Sequence, residues 1–225
     1  MARFERFTVI SEIHNSRFVP IFSHADLSVC KEVLDCCYKT GIRIFEFTNR
    51  GDCAHEIYAE LHVYAQKKYP DMILGAGSVM DPTSAIVFIL LGANFIVSPI
   101  LDEDTGKHCN RRKILWMPGC GSVSEISKAE ELGAEIIKIF PGGAVGGPDF
   151  VRTVKGPMPW VKLMPTSGVA LTEASISEWF SAGSFALGFG SVLFKKELIN
   201  GKCWNEIITD LSQLSKWIAK HKPKK

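Results

Sequence analysis

Short apolar runs alternate with amphipathic stretches along the whole chain, and turn or capping residues mark most of the boundaries. Eight runs have the length, the flanking Gly and Pro, and the Val, Ile and Phe content of β-strands: residues 18–22, 42–47, 72–77, 95–98, 114–118, 135–140, 161–165 and 185–188. The stretches between them read as helices. Residues 26–40 place Leu27, Cys30, Leu34 and Cys37 on one stripe and stop at Gly41, the usual residue just past a helix end. Asp81-Pro82 pairs an N-cap with proline at the first helical position, and that helix runs to Gly92. Ser122-Val123-Ser124-Glu125 has the spacing of a capping box, with Gly133 closing the helix. Ile207, Leu211, Leu214 and Ile218 repeat at helical spacing near the C-terminus.

Strands that alternate with helices pair in parallel, because each crossover returns the chain to the same end of the sheet. Eight such units in a chain of this size predict a single α/β domain over residues 1–225, a (β/α)₈ TIM barrel with a short N-terminal leader helix and a basic C-terminal tail. The open doubly wound sheet is the competing architecture. Its phosphate-binding fingerprint, G-x-G-x-x-G, is absent after the first strand, where Pro20-Ile21-Phe22-Ser23-His24 stands instead.

The chain has 225 residues with 26 Lys and Arg against 24 Asp and Glu, a formal charge of +2. That balance argues against a general nucleic-acid binder, and the basic run His221-Lys222-Pro223-Lys224-Lys225 reads as a solvated terminus. The most apolar stretch, residues 85–97, is interrupted by Gly92 and Asn94 and is shorter than the roughly 20 residues of a membrane span. The N-terminus carries charges where a signal peptide has its apolar core. Seven cysteines without a C-x-x-C spacing read as reduced thiols, so the expected location is cytoplasmic. Of the six histidines only His24 falls near a strand end. The others (His14, His55, His62, His108 and His221) read as surface residues, and neither a metal nor another cofactor is expected.

In a barrel of this kind the C-terminal strand ends carry the active site. Along 135–140, period-two alternation sets Ile136, Lys138 and Phe140 on one face and Ile137 and Ile139 on the other. The all-apolar face belongs under the helix layer, so Lys138 points inward. It is either paired with an acid or snorkelling to the rim, or it is a Schiff-base lysine, since desolvation disfavours an ammonium and exposes a nucleophilic amine. The second strand puts Ile44, Glu46 and Thr48 on one face, with Arg50 just past its end. Glu46 is then either a structural partner of Lys138 or Arg50, or a general acid/base tuned by its apolar setting. The planar fork of Arg50 suits a substrate carboxylate. Pro165-Thr166-Ser167-Gly168 and Gly188-Phe189-Gly190-Ser191 end the last two strands, where barrels often bind phosphate through backbone N–H groups. Cys120, at the fifth strand end, reads as a small filler with no activating base beside it.

These segments, taken in order, resemble the 2-keto-3-deoxy-6-phosphogluconate (KDPG) aldolases, also active as 4-hydroxy-2-oxoglutarate aldolases, which are class I enzymes on a (β/α)₈ barrel. The match runs from Val19-Pro20-Ile21 through Glu46-Phe47-Thr48-Asn49-Arg50, Gly75-Ala76-Gly77-Ser78-Val79, Ser98-Pro99 and Pro118-Gly119-Cys120. It continues through Lys138-Ile139-Phe140-Pro141 and Pro165-Thr166-Ser167-Gly168 to Gly190-Ser191. The resemblance implies Lys138 as Schiff-base former and Glu46 as proton shuttle. It puts Arg50 and Ser78 at the pyruvyl carboxylate, Pro99 and Phe140 as apolar walls, and Thr166, Ser167, Gly168, Gly190 and Ser191 around the hydroxyl and phosphate end. The substrate it implies is a small phosphorylated keto acid, and the assembly a homotrimer without metal.

Two positions depart from the family pattern. Ser78 replaces the common Thr, and Ser167 stands where a second Gly is frequent, which bears on the sugar acid accepted more than on the reaction. The Gly-rich segment 142–147 is expected to be mobile. Three other readings remain: the same chemistry on the C4 epimer, 2-keto-3-deoxy-6-phosphogalactonate; a non-catalytic phosphate-binding barrel; and a metal-dependent class II aldolase.

Overall fold

The computed structural model describes residues 2–221, so Met1 and the basic run 222–225 lie outside the described residues. The described strands are β1 (Phe18–Phe22), β2 (Ile44–Thr48), β3 (Ile73–Gly77), β4 (Phe95–Val97), β5 (Leu115–Met117), β6 (Gly119–Cys120), β7 (Ile137–Ile139), β8 (Leu163–Pro165) and β9 (Leu187–Phe189). The helices are α1 (Arg6–Ser16), α2 (Leu27–Lys39), α3 (Ala54–Lys68), α4 (Pro82–Leu90), α5 (Glu103–Arg112), α6 (Val123–Glu131), α7 (Gly147–Lys155), α8 (Glu173–Ser181), α9 (Lys196–Asn200) and α10 (Trp204–Ala219). The caps read from sequence at Asp81 and Ser122 hold, and Asp26 adds a third. Asp26 accepts from Ser28 N–H, Asp81 from Ser84 N–H with Pro82 opening the helix, and Ser122 from Glu125 N–H. The Glu125 carboxylate reaches one residue further back than in a standard capping box and accepts from Gly121 N–H at 2.9 Å.

Every strand pair is parallel. The regular pairing is not one closed eight-stranded ladder, as expected, but a six-stranded sheet β5-β4-β3-β2-β1-β9 and a three-stranded sheet β6-β7-β8. The cause at one seam is Pro118, which separates β5 from β6. Having no N–H, it interrupts the ladder, so β5 pairs only with β4 and β6 only with β7. At the other seam a single bridge, Thr166 to Gly188, links the two sheets.

Two apolar layers follow from strand parity. Val19, Ile44, Ile73, Phe95, Leu115, Ile136, Met164 and Ala186 project to one side and pack together, joined by Val9 and Ile13 of α1. The alternate positions, among them Phe45, Phe47, Ile137 and Ile139, pack under the outer helices. The expected leader helix is thus a plug. Its Arg6 donates to Ile114 O (Nε, 3.1 Å), to Asn110 Oδ1 (2.8 Å) and to Glu135 (3.2 Å), which closes the N-terminal end of the strands and leaves the C-terminal end open. No helix among the described residues is long and apolar enough to cross a membrane.

Candidate active site

A cavity of about 430 Å³ opens at the C-terminal ends of β1, β2, β7, β8 and β9. It is lined by ten of the eleven side chains and glycines singled out in the sequence: Glu46, Arg50, Ser78, Lys138, Phe140, Thr166, Ser167, Gly168, Gly190 and Ser191. Pro99 is not among them. It follows β4, and its carbonyl sits against Gly119, where a Cβ would come within 2.2 Å of Pro99 O.

Lys138 is held mid-strand, its N–H donating to Pro118 O at 2.9 Å. The residue is 6% exposed, and its Nζ lies 5.2 Å from the centroid of the Phe140 ring. Glu46 is fully buried, and neither carboxylate oxygen has a hydrogen-bond partner among the described residues. Nor does Lys138 form an ion pair among the described residues, so the structural pairing of Lys138 with Glu46 is not realised. Burial raises the Glu46 pKa above its ordinary 4.5, against the opposing pull of the Lys138 and Arg50 charges. A buried carboxyl that resists ionisation, with unused oxygens and a lysine across the same cavity, is equipped to hold and release a proton.

Room for Glu46 comes from β3, which pairs with β2 so that Thr48 faces Gly77. A Cβ on Gly77 would fall 1.8 Å from Glu46 Oε1. Gly77 is therefore a steric requirement of the carboxyl, whereas Gly75 makes room for the Phe95 ring. Gly77→Ala is expected to cut turnover by about 100-fold, since a displacement near 1 Å is enough. Steady-state kinetics with thermal melting check this, and an active Gly77→Ala protein would show that Glu46 need not stay where it is.

Thr166 is buried with its hydroxyl unpartnered. The backbone N–H groups of Ser167, Gly168, Gly190 and Ser191 find no acceptor among the described residues. Ser167 and Gly168 both have positive φ (70° and 84°), the left-handed backbone of a tight turn directly after β8. An anion at this end of the cavity would meet those amides. The Gly-rich segment after β7 packs here too. Gly142 N–H donates to Thr166 O (2.9 Å) and Gly143 N–H to Ser167 O (3.0 Å). A Cβ on Gly168 would lie 2.5 Å from Gly143 Cα. These glycines serve close backbone packing, a different reason for their density than the mobility expected from sequence.

Sequence reasoning assigned no role to Ser23 and left Thr48 as a mere inward position, yet both line the cavity. Cys120 is buried outside the lining, its thiol pKa pushed up to about 12 by burial, as a filler requires. His62 is buried against Gly92 and stacked on Tyr58 rather than on the surface. Among the described residues no group of three or more His, Cys, Asp and Glu side chains is arranged to hold a metal ion.

The family model for KDPG and KHG aldolases matches residues 9–210. The chain belongs to this family. A 2-dehydro-3-deoxy-phosphogluconate aldolase of Haemophilus influenzae is 26% identical over 199 residues, 88% of this chain and 91% of its own length. The KHG/KDPG aldolase of Escherichia coli is 32% identical over 130 residues, 58% of this chain and 59% of its own. Among solved structures, the KDPG aldolase of Legionella pneumophila, with pyruvate captured at low pH as a covalent carbinolamine, superposes with a TM-score of 0.82 at 24% identity. That superposition covers 91% of this chain and 97% of the other.

Proposed function

We propose that the chain is a class I aldolase that reversibly cleaves KDPG to pyruvate and glyceraldehyde 3-phosphate. The observation that carries this reading is the unpaired Lys138 amine facing one cavity with a fully buried, unpaired Glu46 carboxyl. The Lys138 amine adds to the C2 ketone, and Glu46 moves the protons that let the carbinolamine lose water. The resulting iminium accepts the electron pair of the C3–C4 bond as that bond breaks. Glu46 takes the C4 hydroxyl proton, the aldehyde leaves, and the pyruvyl enamine is protonated at C3 and hydrolysed to return the lysine. Arg50 and Ser78 hold the carboxylate, and Phe140 covers the imine. Thr166 with the amides of Ser167, Gly168, Gly190 and Ser191 receives the phosphate end, so that orientation lowers the barrier by several kcal/mol.

The same apparatus would cleave 4-hydroxy-2-oxoglutarate to pyruvate and glyoxylate, at a cost in affinity because no phosphate fills the amide cluster. Pyruvate release measured side by side on KDPG, its galactonate epimer and 4-hydroxy-2-oxoglutarate tests the reading. KDPG is expected to have the highest kcat/KM, and no pyruvate from any of the three would overturn it.

Around this site we propose that the two sheets act as one eight-stranded barrel, jointed at Pro118 and at the Thr166–Gly188 bridge, in a single domain. Seven free thiols support a cytoplasmic location. Homotrimer assembly follows from the family resemblance and is read by native mass.

A further inference from the structure

Two hydroxyls on the β1 side of the cavity have no part in the chemistry above. Thr48, the last residue of β2, is 4% exposed, and its Oγ1 donates to Ser23 Oγ at 2.6 Å. Ser23 directly follows β1, is partly exposed and lines the cavity. A hydroxyl carries one proton and two acceptor sites. Thr48 is the donor of this bond and has no other acceptor among the described residues. Ser23 then has a proton of its own that no described group accepts, and because Ser23 lines the cavity that proton is available to whatever fills it.

The position of this donor is fixed by strand order. β1 lies between β9 and β2. Gly190 and Ser191 follow β9, at the end of the cavity assigned above to phosphate, and β2 carries Glu46 with Arg50 beyond it. Ser23 therefore stands between the phosphate end and the groups that handle the pyruvyl half. The stretch of substrate that spans this interval bears two hydroxyls, and the one on C4 is consumed by the cleavage.

Resting on the functional reading above, we propose that Ser23 is a specificity-determining residue. It donates to the hydroxyl beside the phosphate-bearing carbon, which is the 2-hydroxyl of the aldehyde partner, and Thr48 is its positioning residue. A site built to bond a substrate hydroxyl rejects the analogue that lacks it, because the protein donor is then left unpaired.

The test runs the reaction toward condensation, with pyruvate and either D-glyceraldehyde 3-phosphate or 3-phosphooxypropanal, which lacks only the 2-hydroxyl. Ser23→Ala is expected to lower kcat/KM for the hydroxylated aldehyde by about five- to tenfold, mainly through KM, and to change the deoxy aldehyde by less than twofold. Thr48→Val should lose selectivity in the same direction, and Thr48→Ser, which keeps the hydroxyl, should retain it. Equal losses on both aldehydes would mean a merely structural role, and unchanged selectivity would mean none; either overturns the assignment. Wild-type protein that forms no borohydride-trapped pyruvate adduct would overturn the functional reading itself, whereas adduct formation with indifferent aldehyde kinetics overturns this assignment alone.

Discussion

Lys138→Met is expected to lower turnover of KDPG by about four orders of magnitude or more while the protein stays folded. Methionine matches the length and apolar stem of lysine, and the position makes no ion pair among the described residues that the change would break. What disappears is the amine, and with it the iminium that stabilises the electron pair of the breaking C3–C4 bond. Glu46, relieved of the Lys138 charge, holds its proton more firmly still, so no bare carboxylate is stranded in the core. Kinetics and thermal melting of the purified variant check the expectation. A folded Lys138→Met protein with even a tenth of wild-type turnover would contradict the covalent mechanism.

Glu46→Gln keeps the shape of the carboxyl and removes its ability to exchange a proton. Turnover is expected to fall by about 10²- to 10⁴-fold, the usual contribution of a positioned acid/base. Stability should move the other way. Burial raises the Glu46 pKa above 4.5 in the folded state, so folded protein binds that proton more tightly than unfolded chain does. The stabilisation is complete below about pH 4.5 and is lost as pH rises through the folded-state value. Glutamine stays neutral throughout. The variant should therefore melt higher than wild type above that folded-state value, with the difference shrinking toward pH 4.5. A less active but equally pH-sensitive variant would place the sensitivity on another group.

The strand-and-helix alternation, the inward parity of Lys138 and Glu46, and the caps at Asp81 and Ser122 were legible in the sequence because each depends on local spacing. The break at Pro118 was written there too, inside a segment read as one strand end. Proline's missing N–H splits the ladder there, and the residues beyond it still pair. Three-dimensional proximity was not legible. Nothing local distinguishes Gly142 and Gly143 as packing residues, because their neighbours, the backbone of 166–168, are more than twenty residues away. Pro99 follows a matched strand end, yet it is not among the residues lining the cavity, and its carbonyl lies against Gly119. Ser23 followed a strand end as Arg50 did, but a serine has no charge to draw attention, and its role depends on Thr48 across the β1–β2 pair. Glu46 shows how the two levels meet. Parity turned it inward, and only the structure shows that Gly77 makes its place and that no cation closes on it.

Borohydride reduction in the presence of pyruvate, followed by peptide mass mapping, addresses the central claim most directly. The account predicts one reduced pyruvyl adduct per chain, located on Lys138 and absent without pyruvate. Folded protein that carries no adduct, or carries it on another lysine, would contradict it.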